Sequence, residues 1–244
     1  MFRRLALPLA LLAVLAACAG HQALREPSDA YRAGWPALAR ADLDQAAWTV
    51  EHEPDSPSAD RAAFLLARAA LEQGRPAEIE KRTAWLESRR ADSPWLPALA
   101  WLRLLAARDE EGSLRLVQRI SAALARHPED EAFGRAARGR AEPALAACGQ
   151  SDLETFLAAA PDAPLAPEAG LALGKLLNAR GSWEDATRAL RKVLMAAPGT
   201  QAAAEAEGLL KELSRKIPTN ARAIGLLLPA TGRYAAYGQS VANG

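Results

Sequence analysis

Two thiols, three imidazoles and a run of glycines and hydroxyls near the C-terminus are the groups on which chemistry could run in this chain. The histidines are His21, His52 within Glu51-His52-Glu53, and His127 ahead of Pro128. None stands in His-Glu-x-x-His, where two imidazoles one helical turn apart share a zinc ion. Glu51-His52-Glu53 reads instead as the solvated end of a helix. No serine or cysteine occupies a nucleophile motif, and Gly225 and Gly232 lack the spacing and the lysine of a phosphate-binding loop. These patterns predict no enzyme, no metal and no cofactor. Cys148 has no histidine near it in sequence and reads as a small buried residue. Cys18 is different. It ends a basic start (Arg3, Arg4), an apolar run from Leu5 to Val14 interrupted by Pro8, and the small residues Ala16-Ala17. That is the layout of an export signal, and its apolar run is too short to span a bilayer, which takes about 20 residues.

Leu15-Ala16-Ala17-Cys18 resembles the lipobox of bacterial lipoproteins. The resemblance implies that residues 1–17 are removed as a signal peptide and that Cys18 is acylated and becomes the first residue of the mature chain. Each buried methylene contributes about 0.8 kcal/mol, and firm attachment takes more than one acyl chain. The residue after Cys18 is Ala19, where an aspartate commonly retains such proteins in the inner membrane. The expected location is therefore the outer membrane, lipid-anchored and facing the periplasm.

The C-terminal chemistry sits at 221–244. Ala223-Ile224-Gly225-Leu226-Leu227-Leu228 is a short continuous apolar run between Pro218 and Pro229, consistent with a buried parallel strand. Thr231-Gly232 follows as a turn, and Ala235 onward reads as a helix start whose amides suit an anion. Ile224-Gly225-Leu226-Leu227-Leu228-Pro229, Thr231-Gly232, Ala235, Tyr237-Gly238 and Gly244 together resemble the opening of the type I periplasmic binding fold. The resemblance implies that Tyr237 lines a ligand cleft and that Thr231 and Gly232 shape the turn beside it. That fold has two lobes, so this segment is expected to be the first strand and helix of a truncated α/β domain, and the chain an N-terminal fragment. Alone, residues 221–244 are expected to dock loosely on the preceding body or to be disordered, because a lone strand has unpaired edges.

These groups need a body to position them. Residues 18–27 read as a polar tether, and 28–216 as an all-α series of helices divided by Pro and Gly. Half the residues are hydrophobic but only 5% are aromatic, with Ala and Leu dominant, which favours helix. Candidate helices span 28–52 (broken or bent at Pro36), 58–73, 76–90, 94–108, 111–126, 130–147, 151–159, 166–180, 182–196 and 200–215. Ser58, Ser182 and Thr200 offer N-caps, and Gly74, Pro128, Gly181 and Pro198 offer ends. Within 167–200, Leu173-Gly174, Leu177, Gly181, Ala186, Leu190 and Pro198 resemble a tetratricopeptide repeat. Gly174 and Ala186 are small so that two helices can approach. At the 34-residue pitch of such repeats, Ala186 aligns with Leu116, Ile79 and Ala46, and Gly181 with Gly74. The prolines 143, 161, 164 and 167 are expected to break or bend the stacking. A tetratricopeptide-like helical solenoid follows, each hairpin burying its apolar face on its neighbours. The tryptophans Trp35, Trp48, Trp85, Trp95, Trp101 and Trp183 are expected in inter-helix packing. Glu80-Lys81-Arg82 and Arg89-Arg90 are expected on solvated faces.

Basic and acidic residues number 30 and 29. Losing Arg3 and Arg4 with the signal leaves 28 against 29, a net charge of −1 that gives no reason to expect nucleic acid. A lipobox, then helical repeats, then a type I binding domain is the order found in penicillin-binding-protein activator lipoproteins, which this chain resembles. The resemblance implies binding and stimulation of a peptidoglycan synthase by contact. Two other readings stand beside it: an ABC-transporter-type solute-binding lipoprotein for amino acids or related ligands, and a structural repeat scaffold in outer-membrane assembly.

Overall fold

A computed structural model describes residues 25–32, 35, 37–107 and 112–216. The described residues are helical and contain no strand. A 3-10 turn, Pro27–Tyr31, is followed by α1 (Arg40–His52), α2 (Pro57–Glu72), α3 (Pro76–Arg89), α4 (Leu96–Ala106) and α5 (Ser113–Arg126). Then come α6 (Glu131–Ala147), α7 (Gln150–Ala159), α8 (Ala166–Ala179), α9 (Trp183–Ala196) and α10 (Gln201–Lys216). The segment 221–244 lies outside the described residues.

The expected helices match these closely, with one exception. The span 28–52 is not one bent helix. A 3-10 turn closes at Tyr31, Arg32 is extended, and α1 starts only after an extended Ala39. Pro36 disfavours helical geometry for Trp35, and Tyr31 and Trp35 are spent on contacts elsewhere in the fold. The cap expectations also divide. Thr200 Oγ1 accepts from the Ala203 amide at 3.2 Å, a side-chain cap on α10. Ser58 does not cap α2: Pro57 takes the first helical position, where its missing N–H is no loss, and Ser56 precedes it. Gly74 and Gly181 close α2 and α8 alike. Each has positive φ, 64° and 80°, and the amide after each reaches back five residues, Arg75 to Ala70 and Ser182 to Leu177.

Consecutive helices other than α6 and α7 pack on one another, and the even-numbered helices α2, α4, α6, α8 and α10 also touch in order. The result is two layers. The stacking loosens where the prolines predicted it: α6 carries Pro143 inside it, and α7 packs on α5 and α8 rather than substantially on α6. One core joins Phe64, Ile79, Leu86, Leu99 and Leu102, and a second joins Leu104, Ile120, Phe133, Leu153, Leu165 and Leu190. They meet at α4, whose sequence LPALAWLRLLA is apolar almost all round, as befits a helix covered on both sides.

Two glycines bring α8 close against α9. A Cβ on Gly174 would lie 2.4 Å from Leu190 Cδ2, and one on Gly170 would lie 2.7 Å from Val193 Cγ2. Gly174 thus does what its spacing predicted, and Gly170, one turn earlier, does the same. Ala186, Leu190 and Val193 form the buried stripe of α9, and Ile79, Thr83 and Leu86 repeat its spacing on α3. On α5 the stripe is Val117, Ser121 and Leu124. The aligned residue is therefore Val117, and Leu116 is turned to a half-buried position. Four tryptophans pack against neighbours as expected, but Trp48 and Trp183 are 45% and 37% exposed. Arg90 is not a solvated surface residue either. Its Nη1 lies 3.1 Å from the buried Asp60, which also accepts from Ser93 Oγ at 2.6 Å.

Gly174→Ala is expected to lose about 1–3 kcal/mol in urea denaturation, because Leu190 is fully buried and cannot move aside freely. Gly208→Ala is the control: nothing lies within 4 Å of its Cβ position in α10, so a gain of about 0.5–1 kcal/mol is expected from helix propensity alone.

Candidate functional site

The residues singled out for chemistry in the sequence, Cys18, Thr231, Gly232 and Tyr237, all lie outside the described residues. What the structure places instead is the segment that leads away from Cys18. Asp29 organises it: its carboxylate accepts from the amides of Arg25 and Glu26 at 3.0 and 3.1 Å. Those bonds, Glu26 foremost, hold the Asp29 carboxyl below the usual carboxylate range. The 3-10 turn then crosses to α4 and α6, skipping the three helices that follow it in sequence.

Tyr31 is the fixing point. Its ring meets Trp101 of α4 edge-on at 6.2 Å and Phe133 of α6 at 6.0 Å. Its hydroxyl donates to Asp130 Oδ2 at 3.1 Å, across 99 residues of chain. Asp130 is also the N-cap of α6, its Oδ1 accepting from the Phe133 amide at 2.8 Å, so one carboxylate serves a helix and a distant phenol. Burial, and then the Asp130 charge, push the Tyr31 phenol well above its ordinary range. Four residues on, Trp35 Nε1 donates to the Ala30 carbonyl at 3.1 Å, and the buried Arg68 guanidinium of α2 lies 5.0 Å above the Trp35 ring. Tyr31 and Trp35 therefore strap α2, α4 and α6 together.

Two surface grooves flank this strap. One, of about 420 Å³, is lined by His127, Asp130, Glu131, Arg135 and Arg138. His127 stands edge-on to Phe133 at 5.7 Å, and its burial, with Arg126 beside it, pulls its pKa below the ordinary value. The other groove, of about 660 Å³, is more apolar and runs past Tyr31 between α4, α5 and α6. Arg140 lies in its wall, and the Nε of that side chain is buried without a hydrogen-bond partner. Pro143, in the same wall, has no N–H to give the Gly139 carbonyl one turn back.

Cys148 is buried, as its surroundings in sequence predicted, and burial raises its thiol pKa. His52 sits at the exposed end of α1 and stacks on Trp48. Among the described residues no group of three or more His, Cys, Asp or Glu side chains is placed to hold a metal ion. No described helix is long and apolar enough to cross a membrane. Sequence reasoning passed over Tyr31, Asp130 and Arg140. Asp130 carried a readable signal, an acidic N-cap between Pro128 and the α6 run, but nothing local marked its second partner.

Tyr31→Phe is expected to cost about 1 kcal/mol in chemical denaturation by loss of the hydrogen bond, and Tyr31→Ala about 3 kcal/mol by loss of the ring as well. The His127 ring should titrate by NMR below its ordinary pKa of 6.5. Because the folded pKa is the lower one, the unfolded chain binds the extra proton. The contribution of His127 to stability is whole above 6.5 and declines as pH falls through that value toward the folded pKa. His127→Gln should flatten that part of the stability–pH curve. Compared with protein-family models, curated proteins and solved structures, the chain matches none of them.

Proposed function

We propose that this chain is the anchored arm of an outer-membrane lipoprotein that binds and stimulates a peptidoglycan synthase through contact alone. In this reading Cys18 carries the lipid, the helices form a tetratricopeptide-like solenoid, and residues 221–244 begin a type I binding domain that continues in a longer protein. The observation that carries the reading is the strap. Only residues 19–24 separate Cys18 from the ordered Arg25, a reach of at most about 25 Å. Tyr31 and Trp35 then hold that leader against three helices of the array. A lipid on Cys18 would hold the array by its middle and leave both ends free for partners. Confinement near one membrane raises the effective concentration of partners held there.

Repeat identity is supported by the matching closures at Gly74 and Gly181, by the glycine contact between α8 and α9, and by the recurring buried stripe of α3, α5 and α9. The solute-receptor reading rests on Thr231, Gly232 and Tyr237, and binding of an amino acid by the full-length protein would favour it.

Cys18→Ser is expected to abolish labelling by radioactive palmitate and to move the protein from the membrane pellet to the supernatant. The full-length lipoprotein is expected to raise synthase turnover in a purified assay. No change at saturating lipoprotein sinks the activator role, while retention of Cys18→Ser in the membrane with label intact sinks the anchor.

A further inference from the structure

We infer that His127, Phe133, Asp130 and Tyr31 form an acid-sensitive latch, in which proton uptake by the imidazole loosens the strap from α6 while the helices stay folded.

The latch is a chain of contacts from a titratable ring to the strap. Phe133 is fully buried, and its ring is shared. The His127 imidazole meets it edge-on at 5.7 Å, and the Tyr31 ring lies against it at 6.0 Å. Asp130 is shared in the same way, accepting from the Phe133 amide at 2.8 Å and from the Tyr31 hydroxyl at 3.1 Å. His127 ends α5 and Asp130 begins α6, so imidazole and carboxylate stand at the two ends of one short turn, His127-Pro128-Glu129-Asp130. Phe133 and Asp130, the side chains of α6 that hold Tyr31, are therefore also the ones that face His127.

The charges around His127 are arranged to give its proton a destination. Arg126 on its own helix opposes the imidazolium, while Asp130 at the start of α6 and Glu87 of α3 favour it. Glu131, Arg135 and Arg138 of α6 line the rest of the groove, and Arg138 is already paired with Glu168 of α8. Asp130 is the near carboxylate, and at neutral pH it holds a phenol. A hydrogen bond from an imidazolium to a carboxylate is about twice as strong as one between neutral groups. The charged ring thus competes with Tyr31 for Asp130, and it draws water to the edge of Phe133.

The strap is the element that gives way. It is a 3-10 turn of five residues, a form with poor hydrogen-bond geometry. Its backbone bonds, Asp29 to Glu26 and Arg32 to Asp29, are internal, so it can move as one piece. By contrast α6 runs for 17 residues and buries Phe133, Ala137, Ala141 and Ala144. In the closed latch, burial and Arg126 keep the imidazole below its ordinary pKa of 6.5. With the strap loosened, water reaches the ring and its pKa returns toward 6.5. The loosened form therefore binds the proton more tightly, and acid favours it as pH falls through 6.5 toward the lower value. Each unit between the two values multiplies the loosened population about ten-fold.

This inference goes beyond the proposed function and needs neither lipid nor synthase, so its failure leaves that reading standing. The full chain is labelled with fluorotryptophan, its six tryptophan signals are assigned by single Trp→Phe substitutions, and fluorine NMR follows them from about pH 7.5 to about pH 5 beside the His127 ring signal. Trp35, on the strap, and Trp101, against Tyr31, are expected to shift together at the midpoint of the His127 titration. Trp183 of α9 and the far-UV circular dichroism should hold still. His127→Gln is expected to abolish the shift. Tyr31→Phe keeps the ring and removes the hydroxyl, and it should raise the midpoint toward 6.5, because a weaker latch opens at a lower proton concentration. A midpoint unmoved by Tyr31→Phe overturns the proposal, as does a shift that survives His127→Gln or the absence of any shift. Movement of Trp101 without Trp35 is a through-space effect of the new charge and also overturns it. So does movement of all six signals with loss of circular dichroism, which is acid unfolding of the whole array.

Discussion

The structure turns on a phenol wedged between two apolar cores. Tyr31 packs against both, its ring meeting Trp101 and Phe133 of the second core, and its hydroxyl is satisfied by a carboxylate that already caps α6. A buried hydroxyl needs a partner, and the carboxylate that accepts from this one is 99 residues away. The contact therefore closes a long loop of chain. It converts a row of helices that touch mainly their neighbours into one in which the leader, α4 and α6 are held as a unit.

The two-layer array follows from the same economy of apolar surface. No hairpin of this size can bury its own apolar face. Alanine and glycine at the helix contacts let neighbours come close, most of all at Gly170 and Gly174 against α9. α4 is apolar almost all round because each side meets a different core. Cross-helix pairs such as Arg138 with Glu168 and Lys175 with Glu205 trim the exposed edge of the even-numbered layer. Their contribution is small at that exposure.

In the proposed reading the leader carries the hold of a membrane anchor into the array. Tyr31 and Trp35 pass it to α2, α4 and α6, so that the attachment of the arm and the packing of its middle helices are set together.

The helices themselves were legible in the sequence. Pro, Gly and apolar periodicity act within a few residues, and the bounds of α2 to α10, the positive-φ closures at Gly74 and Gly181, the small Gly174 and the loosening around Pro143 all followed from them. Burial of Cys148 was legible for the same reason. What the tertiary structure alone decided is everything that depends on which distant surfaces meet. Tyr31 and Trp35 interrupt a helix that local pattern would continue, because their rings are worth more against α2, α4 and α6 than in a turn of helix. Val117 rather than Leu116 enters the core because the rotation of α5 is set by the helices around it. Arg90 is drawn to the buried Asp60 while Arg89, its neighbour in the chain, stays at the surface beside the exposed Asp55. A sequence states the period of a face, and only packing states what that face is turned toward.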